Sequence, residues 1–146
     1  MSPLGGALQV LTLPAKLGSS PPVGGGKQWW SWVGIDDVIG SIYHSIITKS
    51  LVGPVNVASP NCIQQGEWAS TLAKVIWGPF GKLTTLLPIP GFVLKGLLGE
   101  FGDVLALSSI RADSSKLINS GYKFRFEDLE ETFRHLLGMR KPEDLQ

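Results

Sequence analysis

Apolar residues recur along the chain in a helical rhythm at four places. The pairs Val38/Ile39, Ile42/Tyr43 and Ile46/Ile47 return every four residues, which predicts a helix with one apolar stripe ending near Lys49. Trp68, Leu72, Val75 and Ile76 do the same between Glu67 and Trp77, with Trp68 and Trp77 expected as core and rim aromatics. Leu94, Leu97, Leu98, Phe101 and Leu105 fall on one helical face, and Leu129, Phe133, Leu136 and Leu137 mark the inner face of a last helix. Three shorter stretches read as strands: Trp29 to Ile35, Val55 to Ser59 and Tyr122 to Phe126.

Punctuation between these runs sharpens their ends. Gly5 to Leu17 is apolar and predicts a short helix up to Pro14, followed by the Gly/Pro/Ser-rich loop LGSSPPVGGGKQ. Asp36 or Asp37 stands where a helix N-cap belongs, able to accept a bond from an orphan backbone N–H. Gly78-Pro79 ends the second helix. Asp113 or Ser114 caps a short helix running through Asn119, and Gly121 terminates it at a position that favours a left-handed backbone. His44 lies off the apolar stripe and reads as a solvated helix position. Strands and helices alternate in short elements, hence α/β, or α+β as a fragment, with few strands and about five helices. So few strands cannot build a closed nucleotide-binding sheet.

Composition narrows the function classes. The chain is 43% hydrophobic and 17% charged, within the range of a folded domain, and its net charge of +1 is scattered. That distribution gives no footprint for nucleic acid or for an anionic membrane. Cys62, the single cysteine, fits a reducing compartment and reads as a small buried or half-buried side chain. Two histidines and one cysteine, far apart, offer no metal-ligand spacing. The start, SPLGGALQVL, lacks a basic signal-peptide region, and the longest apolar region, Leu86 to Ile110, is broken by Pro88, Pro90, Lys95, Glu100 and Asp103. The expectation is a cytoplasmic protein, or an organellar one if a transit peptide lies upstream.

The spacing of Gly96, Gly99 and Gly102 imitates a dinucleotide-binding turn. Such a turn needs a strand before it, a helix after it and further parallel strands beyond. Pro88 and Pro90 crowd the supposed strand, and 44 residues follow Gly102, too few for the remaining crossovers. One glycine inside a helix costs about 1 kcal/mol, which burial of several leucines exceeds. The three glycines therefore read as packing or bend positions.

Three stretches taken together resemble the C-terminal part of the extended short-chain dehydrogenase/reductase family, in its epimerase/dehydratase-like branch of epimerase family proteins. They are GGGKQWWSWVGIDDVIGSI from Gly24, GPVNVASPNCIQQGEWASTLAKVI from Gly53, and LPIPGFVLKGLLGE continuing to SGYKFRFEDLEETFRHLL. The last is similar to the small C-terminal domain of unknown function of that branch. Two positions depart from the pattern: Gly34 stands where histidine is common, and Gln64 where Thr or Asn often caps the next helix.

The resemblance implies that residues 1–35 close the Rossmann-like part, 36–138 form the substrate-side domain, and 139–146 are a charged tail. It implies NAD(P) for a full-length member, but none bound by this chain alone, because the cofactor loop and the Tyr-x-x-x-Lys pair are missing. Tyr43 is followed four places later by Ile47, and Tyr122 by Phe126, so neither has the lysine that would lower its pKa. No catalytic residue is therefore assigned. Lys27 and Gln28 are the expected donors to a small polar substrate, and Trp29 and Trp30 its apolar face. The partner implied is the missing Rossmann half or another protein. The alternative function is a non-catalytic interaction module, of the kind some family members labelled cell-division-inhibitor-like suggest.

Overall fold

A computed structural model describes residues 1–20, 22–23, 25–86 and 108–139. The helix expected over Leu94 to Leu105, with its three glycines, lies outside the described residues, as does most of the charged tail.

Helix α1 spans Gly6–Lys16 and passes through Pro14 rather than stopping before it. A proline this close to the C-terminus deletes one hydrogen bond of the ladder and leaves the last turn able to close through Leu17 and Gly18. Strand β1, Trp29–Trp30, is shorter than the expected Trp29 to Ile35. It pairs antiparallel with β2, Ile63–Gln64, in the register Trp29 opposite Gln64 and Trp30 opposite Ile63. Helices α2 (Ile35–Ile47) and α3 (Gln65–Trp77) follow β1 and β2 respectively. A 3₁₀ turn at Gly78–Phe80 leads to the short α4, Gly81–Thr84. Helices α5 (Ser115–Asn119) and α6 (Leu129–Leu136) complete the described elements.

The core forms where α1, β1, α3 and α6 meet. Leu8, Leu11 and Ala15 pack with Trp32, Ile63, Trp68, Leu72, Val75, Leu129 and Phe133. Trp68 is its centre: its ring meets those of Trp30 and Phe133 edge-on, at 5.4 and 5.0 Å between centroids. Trp77, at the rim, donates its indole N–H to the Ala15 carbonyl at 2.8 Å. Helix α6 keeps its predicted face, with Leu129 and Phe133 buried and Leu136 and Leu137 half-buried. Asp128 caps it by accepting from the Glu131 amide at 2.9 Å.

Helix α2 is inverted relative to its pattern. Ile39, Ile42, Tyr43, Ile46 and Ile47 all face outward, with Ile46 75% exposed, while Asp37 and Ser41 are 1% and 0% exposed. Asp36 and Asp37 are not its N-cap. Gly34 takes that position, and the two carboxylates sit in the first turn, still at the end where the helix dipole favours them. His44, expected in solvent, is half-buried, 2.9 Å from Ser120 Oγ.

The two other expected strands are absent from the described residues, for different reasons. At Tyr122 to Phe126 the amides of Arg125 and Phe126 bond to the Asp37 carboxylate, so no strand ladder forms there. At Val55 to Ser59 the one main-chain bond among the described residues is from Ser59 N–H to the Trp32 carbonyl at 2.7 Å, too little for a ladder. At α5 the prediction holds in modified form: Ser114 is the N-cap, and the Asp113 carboxylate accepts the Ser115 amide at 2.9 Å. Gly121 ends it with φ +93°.

Candidate functional site: an aromatic cleft

Beta-strand 1 carries the site because a short antiparallel pair fixes two neighbouring tryptophans on opposite faces. Trp30 reaches the core edge against Trp68. Trp29 and Trp30 both, with Trp32, Trp68, Met1 and Ile110, line a cleft of about 330 Å³. Its walls are dominated by aromatic and aliphatic side chains, with Ser31 and Ser108 as polar points. That volume is at the low end for a small-molecule site.

The segment after Ser108 seals one side. Trp29 N–H donates to Ser109 Oγ at 3.1 Å, and Ile110 N–H to the Trp29 carbonyl at 2.9 Å. Ser31 Oγ donates to the Ile110 carbonyl at 2.9 Å and accepts the Ala112 amide at 2.8 Å. Arg111, between these anchors, lays its guanidinium carbon 4.4 Å from the Trp29 ring centroid. Sequence reasoning missed Arg111. Its stacking depends on a pairing across 80 residues that no local pattern carries. Cys62 is half-buried, as expected, with Sγ 3.4 Å from the Trp30 carbonyl.

Of the four expected substrate contacts, Trp29 and Trp30 line the cleft, and Lys27 and Gln28 do not. Lys27 is exposed on the preceding loop. Gln28 is a structural donor: its Nε2 bonds to the Val23 carbonyl at 2.7 Å, while Gln65 Oε1 accepts the Val23 amide at 2.8 Å. Those two glutamines clamp the glycine-rich loop from both sides.

The same loop answers whether a cofactor phosphate fits at the start of α3. Gln64, its N-cap, makes no side-chain cap bond. The orphan amides of Gln65 and Gly66 instead donate to the carbonyls of Gln28 and Gly26, each at 2.9 Å. Two of the amides that would hold an anion are thus already engaged, and this helix end does not present the open cradle that a dinucleotide phosphate fits.

The polar cluster under α2 is equally committed. Asp36 Oδ2 lies 3.0 Å from His135 Nε2, and Arg125 approaches its other oxygen at 3.9 Å. Burial, then the hydrogen bond and charge of Asp37, push the Tyr122 phenol far above its ordinary value. A phenol held that way is the opposite of an acid/base tyrosine. Among the described residues no group of three or more His, Cys, Asp or Glu side chains could hold a metal. No described helix is long and apolar enough to cross a membrane.

Comparison with known proteins agrees with the three-part resemblance. Residues 89–136 match the family Domain of unknown function (DUF1731). Epimerase family protein YfhF of Bacillus subtilis is 34% identical over 136 residues, covering 93% of this chain and 43% of that protein. The chloroplastic SDR39U1 homolog of Arabidopsis thaliana is 30% identical over 133 residues, 91% of this chain and 37% of its own length. A crystal structure of human epimerase family protein SDR39U1 (isoform 2) with NADPH superposes with a TM-score of 0.75 at 23% identity. It covers 94% of this chain and 45% of the human one. The fold is therefore that of the C-terminal part of an α/β protein, and the chain spans less than half the length of these relatives.

Proposed function

We propose that this relative of the epimerase family proteins is the substrate-side portion of an NAD(P)-dependent epimerase- or reductase-like protein. It is completed by a cofactor-holding half outside the chain, and is inactive alone. The observation that carries this reading is the outward apolar face of α2. Five large apolar side chains in water on one helix are a cost that a self-sufficient domain avoids and that a covering body removes. Val55 to Ala58 also make no main-chain hydrogen bond to another described residue, although their sequence suits a strand. A sheet supplied by the other half would pair with this stretch and cover α2.

The aromatic cleft then serves as the apolar wall for a small substrate, with Trp29 and Trp30 as its faces. Hydride transfer falls to the other half, since neither tyrosine here has a lysine four places on. NAD(P) would be held there too, as the NADPH of the human relative suggests. A cytoplasmic or organellar compartment fits the lone thiol.

Two measurements on the chain test this reading. Light scattering is expected to show concentration-dependent self-association, reduced in Ile42→Asp/Ile46→Asp. A stable monomer at high concentration would overturn the exposed seam. Titration of NADPH, followed by tryptophan fluorescence, is expected to show no saturation in the micromolar range, and saturable micromolar binding would overturn the division of labour. The outward face of α2 also favours a second reading, a non-catalytic interaction module. DNA upstream of Met1 separates the two, because an in-frame Rossmann half with Tyr-x-x-x-Lys supports the first and its absence the second.

A further inference from the structure

We propose that the cleft selects a small amphipathic carboxylate, and that Arg111 at its rim is the residue that chooses the anion. The proposal rests on reading the cleft as a substrate wall and adds the class of molecule. Apolar walls alone favour any flat or chain-like apolar body and carry no sign of charge. Arg111 changes that. Its guanidinium lies 4.4 Å from the centroid of Trp29, a ring that itself lines the cleft, and its neighbour Ile110 lines the cleft as well.

A guanidinium held over a ring face by its carbon needs none of its N–H groups for that contact, and its fork matches a carboxylate. Among the described residues no Asp or Glu pairs with Arg111. The closest acid in sequence, Asp113, is occupied by the Ser115 amide and hydroxyl. Two other cations near this end of the fold already donate to main-chain carbonyls, and a third lies off the cleft. The Met1 ammonium donates to the Val33 carbonyl, and Lys116 Nζ donates to the carbonyls of Val52 and Pro54. Lys27 does not line the cleft.

Arg111 is also held in place before any ligand arrives. Ser31 Oγ clamps the main chain on both sides of it, through Ile110 and Ala112, and Ile110 is tied to Trp29. An anchored main chain and a stacked guanidinium lose little freedom when an anion binds. A ligand seated here would lay its apolar body along Trp30 and Trp32 and turn its carboxylate outward to the rim.

The test uses the full chain with indole ¹⁵N–¹H spectra, the tryptophans assigned by single Trp→Phe variants. The probes are 4-phenylbutyrate and its uncharged amide, 4-phenylbutyramide. The expected result is movement of the Trp29 and Trp30 indole signals at about five-fold lower carboxylate than amide concentration, the size of one partly exposed ion pair. Arg111→Gln, an exposed position, is expected to abolish that difference while leaving the amide titration unchanged. Equal affinities for the two probes, or a preference that survives in Arg111→Gln, would overturn the role of Arg111 and leave the cleft standing as an apolar site. Failure of both probes to move either indole at millimolar concentration would overturn the cleft reading itself, and this proposal with it.

Discussion

Tyr122 donates its hydroxyl to Asp37 at two oxygens, the carboxylate Oδ1 and the main-chain carbonyl, each at 3.0 Å. The same buried carboxylate accepts the amides of Arg125 at 2.7 Å and Phe126 at 3.2 Å. One acid in the first turn of α2 therefore ties down the whole turn between α5 and α6. The polar face of α2 is buried because these bonds need it there.

Replacing Asp37 with alanine orphans the two main-chain donors of Arg125 and Phe126, while the Tyr122 phenol keeps the main-chain carbonyl of residue 37. A loss of about 3 kcal/mol is expected, since each unsatisfied buried donor costs about 1–3 kcal/mol and part is recovered by water. Urea unfolding of wild type and Asp37→Ala at neutral pH checks it, and a loss below about 1 kcal/mol would mean the cluster is solvated.

Gly40 belongs to the same arrangement. A Cβ built there would lie 2.6 Å from the Tyr122 hydroxyl but at an ordinary 3.5 Å from the ring carbons. Gly40→Ala is expected to destabilise wild type by displacing that hydroxyl from Asp37. In a Tyr122→Phe background the same change is expected to stabilise by up to about 1 kcal/mol, the helix preference of alanine over glycine. A double-mutant cycle in urea reads the change of sign.

Alkaline pH offers an independent reading. The Tyr122 phenol is raised, first by burial and then by Asp37, so the native state retains a proton that the unfolded chain releases above about pH 10. The stabilisation is complete below that pH and is lost as pH rises toward the native value. Denaturant midpoints between pH 8 and pH 11 are expected to fall more steeply for wild type than for Tyr122→Phe.

At the acid end the informative pair is on the surface. Glu130 is lowered by hydrogen bonds from Lys74 at 2.6 Å and then Arg134 at 2.7 Å, linking α3 to α6. Its contribution is present above the ordinary glutamate value and disappears as pH falls through the lowered one. Because Lys74 is largely exposed, Glu130→Gln is expected to cost about 1 kcal/mol or less at pH 7 and nothing once both proteins are at pH 2. Thermal melts at the two pH values test this.

Much of the framework was legible in the residues. Trp68, Leu72 and Val75, like Leu129 and Phe133, repeat at helical spacing and are buried against each other, since a helix that meets the core must present one side of its cylinder. Gly121 announced a helix boundary through local chemistry that acts within a few residues, whereas the Asp128 cap came only from the structure. The same periodicity in α2 identified the helix and misled about its buried side, because a pattern reports which face is apolar and not what stands opposite it.

Local sequence thus determined which segments coil and, at several of their ends, where they stop, as bonds between near neighbours suffice for that. Only the tertiary structure decided that Asp37 goes inward to meet Tyr122, that Gln28 serves the loop rather than a ligand, and that Arg111 comes to rest on Trp29. The first and last of those outcomes join residues more than eighty positions apart. Their energy arises from burial and geometry that exist only after the chain has folded.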